Sequence, residues 1–402
     1  MTVVLVVHGT NLPAVDGMVA GMVAAERQAE LVPLVTGGAG LGRYDCVLHV
    51  LAHGELIANG LFWAEWASGR FVGPPVQAAA VASHPAPVVV VTANPSIQAQ
   101  TQAAERITYH AERLGRPLER LEVAEEGAAF VVRDRAGKVR SRWIRDAFGR
   151  PQPAGEERRR HSRRVAILIV GEPDLLRDTY PANLAALGDA ADAAGLDVAL
   201  SFWDPREGPL AAGGARLQDI DGIVLPGGSD MEQVAGQIDL AQRVIRHDVP
   251  TVGLCLGMQT MATAMAREVG GYNDANMAEA DPDAEIKTFV RLNDEDGRPQ
   301  FRLGVRRVRL ATGSRLAAIF GGAEAIAVHC NHRYVLDPQF HARLSDAGLR
   351  ISGLQEERDL ADAIEVPALR FFVGMQGHPE LMTRRDAPHP LVLAFLREAA
   401  RI

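Results

Sequence analysis

The sequence predicts an α/β protein in which a smaller α/β domain precedes a C-terminal doubly wound domain. Its 402 residues exceed what one hydrophobic core usually organises. Short β-branched runs alternate with segments of helical spacing on both sides of residues 148–164, where prolines, glycines and arginines replace every apolar pattern. We therefore place a small α/β domain at 1–147, a linker at 148–164 and the second domain at 165–402.

The front domain is expected to contain buried parallel strands. VVLVVHGTN, DCVLHVLAHGE and VVVVTANPS are apolar runs that end in small polar residues. Helical spacing lies between them, from Met18 to Glu30 and from Ile97 to Leu114. The segment FVVRDRAGKVRSRWI is expected to form a hairpin that turns near Ala136 and Gly137.

The second domain shows the same alternation. RVAILIVG, DGIVLPGG and VPTVGLC have the composition of buried strands, and the segments between them have helical spacing. This order of elements predicts a doubly wound sheet.

Composition excludes several classes of function. The net charge of −8 argues against a nucleic-acid partner, because binding a duplex requires a basic surface. The three cysteines, Cys46, Cys255 and Cys330, are too widely spaced for a disulfide framework or a zinc site, which predicts no metal and a reducing cytoplasm. The apolar opening is far shorter than the ~20 residues that span a bilayer, so we expect no membrane association.

Cys255 is the first candidate catalytic residue. It lies between Gly253 and Gly257, where an apolar strand passes into a helical segment. Glycines on both sides permit the tight strand-to-helix turn that exposes a nucleophile. The positive end of the following helix would favour the thiolate.

His378 and Glu380 are the candidate partners of this thiol. They follow an apolar run in FFVGMQGHPE and are two residues apart. In an extended segment such residues face the same side, so the carboxylate could orient the imidazole that serves the nucleophile.

Residues 165–402 resemble the glutaminase domain of CTP synthase, a class I glutamine amidotransferase, in motifs that follow in the same order. GLCLGMQ at 253–259 is similar to the nucleophile elbow of the family, and QGHPE at 376–380 to its histidine segment. DGIVLPGG at 221–228, NDANMAEADPD at 273–283 and HRY at 332–334 also match.

The resemblance implies residue roles. Cys255 would be the nucleophile, His378 the base and acid, and Glu380 the group that orients His378. The backbone amides of Gly228 and Leu256 would form the oxyanion hole. The implied glutamine-binding residues are Gly228, Leu256, Gly257, Met258, Gln259, Glu279 and Arg333. A carboxylate suits the ammonium of glutamine, and a guanidinium suits its carboxylate.

The resemblance also implies an activity and partners. We expect the chain to hydrolyse L-glutamine and to supply ammonia to an acceptor such as a nucleotide or nucleoside-like compound, activated by a synthetase in trans. Hydrolysis would need no cofactor, and ATP with Mg²⁺ would enter only with the synthetase partner. A homo-oligomer is compatible with the sequence. The alternatives are a stand-alone glutaminase or γ-glutamyl hydrolase, and a pseudo-enzyme that senses glutamine or binds other proteins.

Two departures from the family bear on regulation and on the pocket. The GGFG-x-RG loop of the family is GGSDMEQ here, with Asp230 for a glycine and Glu232 for the arginine. In CTP synthase this loop borders the route that couples glutaminase to synthetase, so activation by GTP is not expected. Gly377 replaces a phenylalanine before the histidine, which suggests an altered pocket wall.

The front domain does not resemble the synthetase domain of CTP synthase. Its candidate phosphate loop, TGGAGLGRY at 36–44, has Arg43 and Tyr44 in place of the lysine and the magnesium-binding hydroxyl. We therefore expect that this chain does not make CTP alone. His53 and Gly54 weakly resemble the caspase-like fold, but Asn94 stands where that fold has its nucleophile, which implies an inactive site.

Overall fold

The computed structural model describes residues 2–35, 49–54, 56–57, 61–156, 161–210, 216–228 and 230–401. The chain divides into two compact units. The first contains residues 1–159, 174–185 and 383–387, and the second contains residues 160–173, 186–382 and 388–402. The glycine-rich segment 36–44 lies outside the described residues.

The first 156 residues form nine strands and five helices within the described ranges. The strands are β1 Thr2–His8, β2 Glu30–Leu31, β3 His49–Val50, β4 Leu56–Ile57, β5 Val88–Ala93, β6 Leu118–Glu126, β7 Ala129–Asp134, β8 Val139–Arg145 and β9 Pro151–Pro153. The helices are α1 Pro13–Asp16, α2 Met18–Glu26, α3 Phe62–Ser68, α4 Ala78–Val81 and α5 Gln98–Arg113.

Seven of these strands form one sheet in the order β2-β5-β1-β6-β7-β8-β9. The strands β2, β5, β1 and β6 are parallel, as expected for apolar runs buried on both faces. The predicted hairpin is confirmed, since β7 pairs antiparallel with β8 across a turn in which Gly137 has φ 76°. The strand predicted over DCVLHVLAHGE differs: its described part, β3, pairs with β4 in a separate two-stranded sheet.

The rest of the chain contains twelve further strands among the described residues. They are β10 Arg163–Val170, β11 Leu196–Trp203, β12 Gly222–Leu225, β13 Thr251–Leu254, β14 Asn276–Met277, β15 Lys287–Arg291, β16 Arg302–Leu310, β17 Ala325–His332, β18 Tyr334–Leu336, β19 Arg350–Gln355, β20 Ala361–Glu365 and β21 Phe372–Met375. The helices are α6 Pro173–Asp178, α7 Pro181–Ala194, α8 Val234–His247, α9 Leu256–Glu268, α10 Arg315–Ile319, α11 Pro338–Asp346 and α12 Pro390–Ala400.

The main sheet of the second unit has nine strands in the order β11-β10-β12-β13-β21-β20-β19-β16-β17. The first five are parallel, which agrees with the predicted doubly wound sheet. The other four extend it by antiparallel pairing, which the prediction did not include. Helices α8 and α9 contribute to the large core on one face, while Gly222 on the other face leaves room for Phe395 and Ala399 of α12.

The segment predicted as a linker contains regular structure at both ends. Pro151–Pro153 pairs with β8, and Arg163 is the first residue of β10. Residues 174–185 and 383–387 belong to the first unit although they follow the linker in sequence. Polar contacts attach both segments to that unit. Arg145 forms an ion pair with Asp178, and the backbone amide of Arg385 donates to the carbonyl oxygen of Trp66 at 3.1 Å.

No helix in the described ranges combines the length and the hydrophobicity that crossing a bilayer requires.

Candidate active site

Three neighbouring parallel strands of the second unit end at the same edge of the sheet. Gly227 and Gly228 follow β12, Cys255 follows β13, and the segment from Gln376 to Glu380 follows β21. The carboxyl ends of parallel strands are where open α/β sheets bind ligands. The topology thus brings together residues that are more than 120 positions apart in the sequence.

Cys255 occupies a sharp turn between β13 and α9. Its backbone has φ 51° and ψ −106°, a conformation that L residues rarely adopt and that costs about 1–3 kcal/mol. The amide of Cys255 donates to the carbonyl oxygen of Met375 at 2.8 Å, and α9 begins at the next residue. A Cβ on Gly257 would overlap the carbonyl oxygen of Leu225, so only glycine allows the helix to start this close to β12.

His378 and Glu380 lie together beside this turn. The distance between His378 Nδ1 and Glu380 Oε1 is 2.7 Å, and the imidazole also forms a hydrogen bond with the Cys255 side chain. Burial opposes the charged imidazolium. The negative charges of Glu380 and Cys255 and the hydrogen bonds to both residues outweigh that effect and hold the pKa of His378 well above its usual value. The arrangement places a readily protonated imidazole beside the Cys255 side chain.

The backbone at Gly227, in the turn after β12, packs directly against the side chains of His378 and Cys255. A Cβ at Gly227 would lie 2.9 Å from His378 Cε1 and 3.2 Å from Cys255 Cβ. Gly228 follows in open space, exposed to solvent. Leu256 is the first residue of α9, where backbone amides have no acceptor within the helix. Leu256 thus directly follows Cys255, and Gly228 directly follows Gly227, which borders Cys255.

Two predicted glutamine-binding residues have polar groups without partners. The Oε1 atom of Gln259 is buried on α9 and accepts no hydrogen bond within the described part of the chain. Glu279 is partly buried, and it too has no hydrogen-bond or ion-pair partner among the described residues. Burial raises the pKa of Glu279 despite the nearby positive charges of Arg333 and Arg291. Buried or partly buried acceptors that have no partner of their own can bind the ammonium group of a ligand. Met258 differs, because its buried side chain packs at Gly374 and leaves only its backbone for a ligand.

Arg333, the predicted partner of the substrate carboxylate, is exposed between β17 and β18. Its guanidinium lies 4.9 Å from the centre of the Phe301 ring. The sequence analysis did not identify Phe301 or Arg291, whose guanidinium lies 5.8 Å from the same ring. No local motif marks either residue, because Arg291 reaches this place through the pairing of β15 with β18 and Phe301 through the pairing of β16 with β17.

The altered loop after Gly228 is attached to a neighbouring turn. Asp230 accepts a hydrogen bond from the amide of Glu232, and its other oxygen lies 3.1 Å from Arg206 Nη1. Arg206 also pairs with Asp204 at 2.5 Å and lies 3.5 Å from Glu172. One guanidinium thus neutralises three carboxylates only in part, and the surroundings of the loop stay negative.

The backbone at Gly377 packs closely against β17. A Cβ at this position would overlap Val328 Cγ1 and lie 2.8 Å from the carbonyl oxygen of His329. Strand β17 therefore occupies the space that a side chain at 377 would fill. The absence of a side chain allows this close packing, and the His378 amide donates to that same carbonyl at 2.6 Å.

Gln376 is a further residue that the sequence analysis missed. Its side chain is fully buried, and its Nε2 donates to Cys255 Sγ at 3.8 Å, which is long even for a bond to sulfur. The backbone amide of Gln376 donates to the carbonyl oxygen of Asp362 at 2.8 Å, which fixes the start of the segment carrying His378. The side chain thus provides a weak donor to the sulfur of Cys255.

Comparison with known proteins identifies the family to which this part of the chain is similar. The family Glutamine amidotransferase class-I matches residues 175–397. The CTP synthase of Streptococcus sanguinis is 33% identical over 241 residues, which cover 59% of this chain and 45% of that protein. The CTP synthase of Levilactobacillus brevis is 34% identical over 249 residues, covering 60% of this chain and 46% of that protein. The chain thus spans about half the length of the curated relatives it matches.

A solved structure shows the same relationship. The glutaminase domain of Trypanosoma brucei CTPS with bound acivicin is 29% identical and superposes with a TM-score of 0.55. The match covers 59% of this chain and 94% of that domain. More than half of this chain is therefore accounted for by one family, and the chain belongs to the class I glutamine amidotransferases.

Proposed function

We propose that this chain hydrolyses L-glutamine through Cys255, His378 and Glu380 and supplies the ammonia to an acceptor activated by a separate synthetase. The observation that carries the proposal is the convergence of these three side chains at the carboxyl ends of β13 and β21. The unpaired acceptors of Gln259 and Glu279 support it, because they suit the ammonium of an amino acid.

The geometry supports a two-step reaction. The Cys255 thiolate attacks the carboxamide carbon, and the backbone amides of Gly228 and Leu256 stabilise the oxyanion. His378 donates its proton to the departing ammonia and then, as the neutral base, activates water to hydrolyse the thioester. Neither step requires a metal or an organic cofactor. ATP and Mg²⁺ would act in the synthetase partner, and the CTP synthase relatives suggest a nucleotide as the acceptor.

The first test is the release of glutamate from radiolabelled glutamine by the purified chain. We expect glutamate and ammonia in equal amounts. Tight binding of glutamine without glutamate formation would instead identify a sensor. Cleavage of γ-glutamyl-p-nitroanilide in preference to glutamine would identify a γ-glutamyl hydrolase.

We also expect GTP to leave the rate of glutamine hydrolysis unchanged. The triphosphate would meet Asp230 and its neighbouring carboxylates, which repel an anion and already occupy Arg206. An effector changes an equilibrium only through contacts that differ between two states. The measurement is the initial rate against GTP concentration at fixed free Mg²⁺, with ATP as the control for charge. A saturable increase with GTP alone would contradict this prediction.

A further inference from the structure

Phe301 is an unusually exposed aromatic residue beside the predicted glutamine site. It lies in the segment between β15 and β16, and its surface is 51% exposed. Two guanidiniums lie near its ring, that of Arg333 at 4.9 Å from the ring centre and that of Arg291 at 5.8 Å. Such contacts attract a cation to the face of the ring.

The contact with Phe301 is the interaction that orients the Arg333 side chain. Among the described residues, no hydrogen-bond or ion-pair partner contacts its guanidinium. A long exposed side chain of this kind samples many rotamers, and ordering them on binding costs affinity. The ring restricts these rotamers while leaving the N–H donors free for a planar carboxylate.

The guanidinium of Arg291 lies near the same Phe301 ring as the guanidinium of Arg333. Its guanidinium also lies 5.5 Å from the centre of the Tyr334 ring, and its buried Nε has no acceptor in the described structure. The charges of Arg291 and Arg333 both act on Glu279. The cluster therefore presents one carboxylate and two guanidiniums with unused hydrogen-bonding capacity, which complements a zwitterion.

We propose that Phe301 is a positioning residue that holds Arg333 ready for the α-carboxylate of glutamine. The inference rests on the proposed glutaminase function and adds a residue to its substrate site. Phe301 has no polar atom for the substrate and acts only through the guanidiniums. Its loss should therefore weaken binding of a substrate that carries the α-carboxylate and leave the chemical step intact.

The experiment compares Phe301→Leu with Phe301→Tyr, which keeps the aromatic face. For Phe301→Leu we expect the KM for L-glutamine to rise roughly two- to tenfold, which is the cost of ordering one long side chain on binding, with kcat within about twofold. Phe301→Tyr should restore the KM. The substrate 4-aminobutanamide, which is glutamine without its α-carboxylate, should be hydrolysed equally by all variants.

Tyr109→Leu is the matched control. Tyr109 is 54% exposed, and the Arg113 guanidinium lies 5.6 Å from its ring centre on α5, so its replacement removes a similar contact elsewhere. It should leave the KM unchanged. An equal rise in KM for both substrates, or no rise in Phe301→Leu, would overturn the proposal.

Calorimetric titration of L-glutamine in a Cys255→Ala background separates this proposal from the proposed function. A Phe301→Leu effect on the Kd would support the positioning role even if the wild-type chain released no glutamate. Binding of glutamine that is indifferent to residue 301 would refute the positioning role while leaving glutaminase activity in place. Failure to bind glutamine at all would reject both.

Discussion

Cys255→Ala is expected to abolish glutamine hydrolysis while leaving the fold intact. Removal of a covalent nucleophile eliminates the thioester intermediate, and comparable substitutions in hydrolases lower kcat by about 10⁶-fold. The side chain removed is small, and alanine retains the Cβ that Gly227 already accommodates. The unfolding midpoint should therefore change little. Labelled glutamate release and a thermal unfolding curve on the same sample measure both quantities.

Cys330→Ala is the matched control for this variant. Cys330 is fully buried on β17, and burial raises the pKa of its thiol to about 12, so it is a poor nucleophile. Its replacement should leave kcat within a few-fold of the wild type and lower stability instead. Full activity in Cys255→Ala would end the assignment of the nucleophile.

Cys255→Gly adds a test of the strained turn. At φ 51° a residue without a Cβ avoids the steric cost that cysteine and alanine both carry. This variant should be inactive but no less stable than Cys255→Ala.

The local geometry around Cys255 could be predicted because short-range sequence encodes it. Glycines at 253 and 257 permit the turn, and the apolar run before Cys255 becomes β13. The contact of 2.7 Å between His378 and Glu380 was expected from their i, i+2 spacing, but the extended segment assumed for it is wrong, because Pro379–Met382 form a short 3-10 helix. In each case the determining residues lie within a few positions of one another.

The antiparallel half of the main sheet could not be predicted in the same way. Strand β16 reads RLGVRRVRL, and its arginines obscure the apolar alternation that marks a strand. Those arginines are satisfied by distant partners, since Arg302 pairs with Asp362 and Arg307 with Glu356. The segment can be recognised as a strand only when the partners of its arginines on neighbouring strands are known.

The contacts that refine the site are also non-local. Asp230 and Arg206 lie on different loops, and Phe301 meets Arg333 through the pairing of β15 with β18 and of β16 with β17. In a single sequence, nothing distinguishes such residues from ordinary exposed charged residues or an isolated aromatic residue. Strand pairing brings them together, which explains why motif comparison identified Arg333 but not Phe301.

Glu380→Gln is expected to lower kcat for glutamine hydrolysis on the order of 10³- to 10⁴-fold. The substitution keeps the shape of the side chain, but an amide can hold the imidazole in the wrong tautomer and cannot stabilise its charge. Glu365→Gln is the control. The Glu365 carboxylate is buried in the same unit and accepts the backbone N–H groups of Arg315 and Leu316 on separate oxygens, so an amide loses one of these bonds and should lower stability without touching the reaction. It should retain near wild-type kcat.

The pH dependence provides the second measurement on Glu380→Gln. In the wild type, the charges of Glu380 and Cys255 outweigh burial and raise the pKa of His378, so the imidazolium persists to higher pH than in an ordinary histidine. Without the Glu380 charge, burial has the larger effect, and the pKa of His378 should fall. The alkaline limb of the kcat profile, where the proton for departing ammonia is lost, should therefore move to lower pH. An unchanged limb would mean that Glu380 does not control the protonation of His378.

The free energy of unfolding should also depend on the protonation of His378. A folded-state pKa raised above the unfolded value of about 6.5 stabilises the protein fully below that pH, and this contribution disappears as the pH rises through the folded pKa. The difference in unfolding free energy between the wild type and Glu380→Gln should thus be largest near pH 6 and shrink at alkaline pH. Urea titrations at pH 6 and pH 9 measure it. A difference that instead grew toward pH 9 would show that Glu380 stabilises the fold through contacts other than the charged His378.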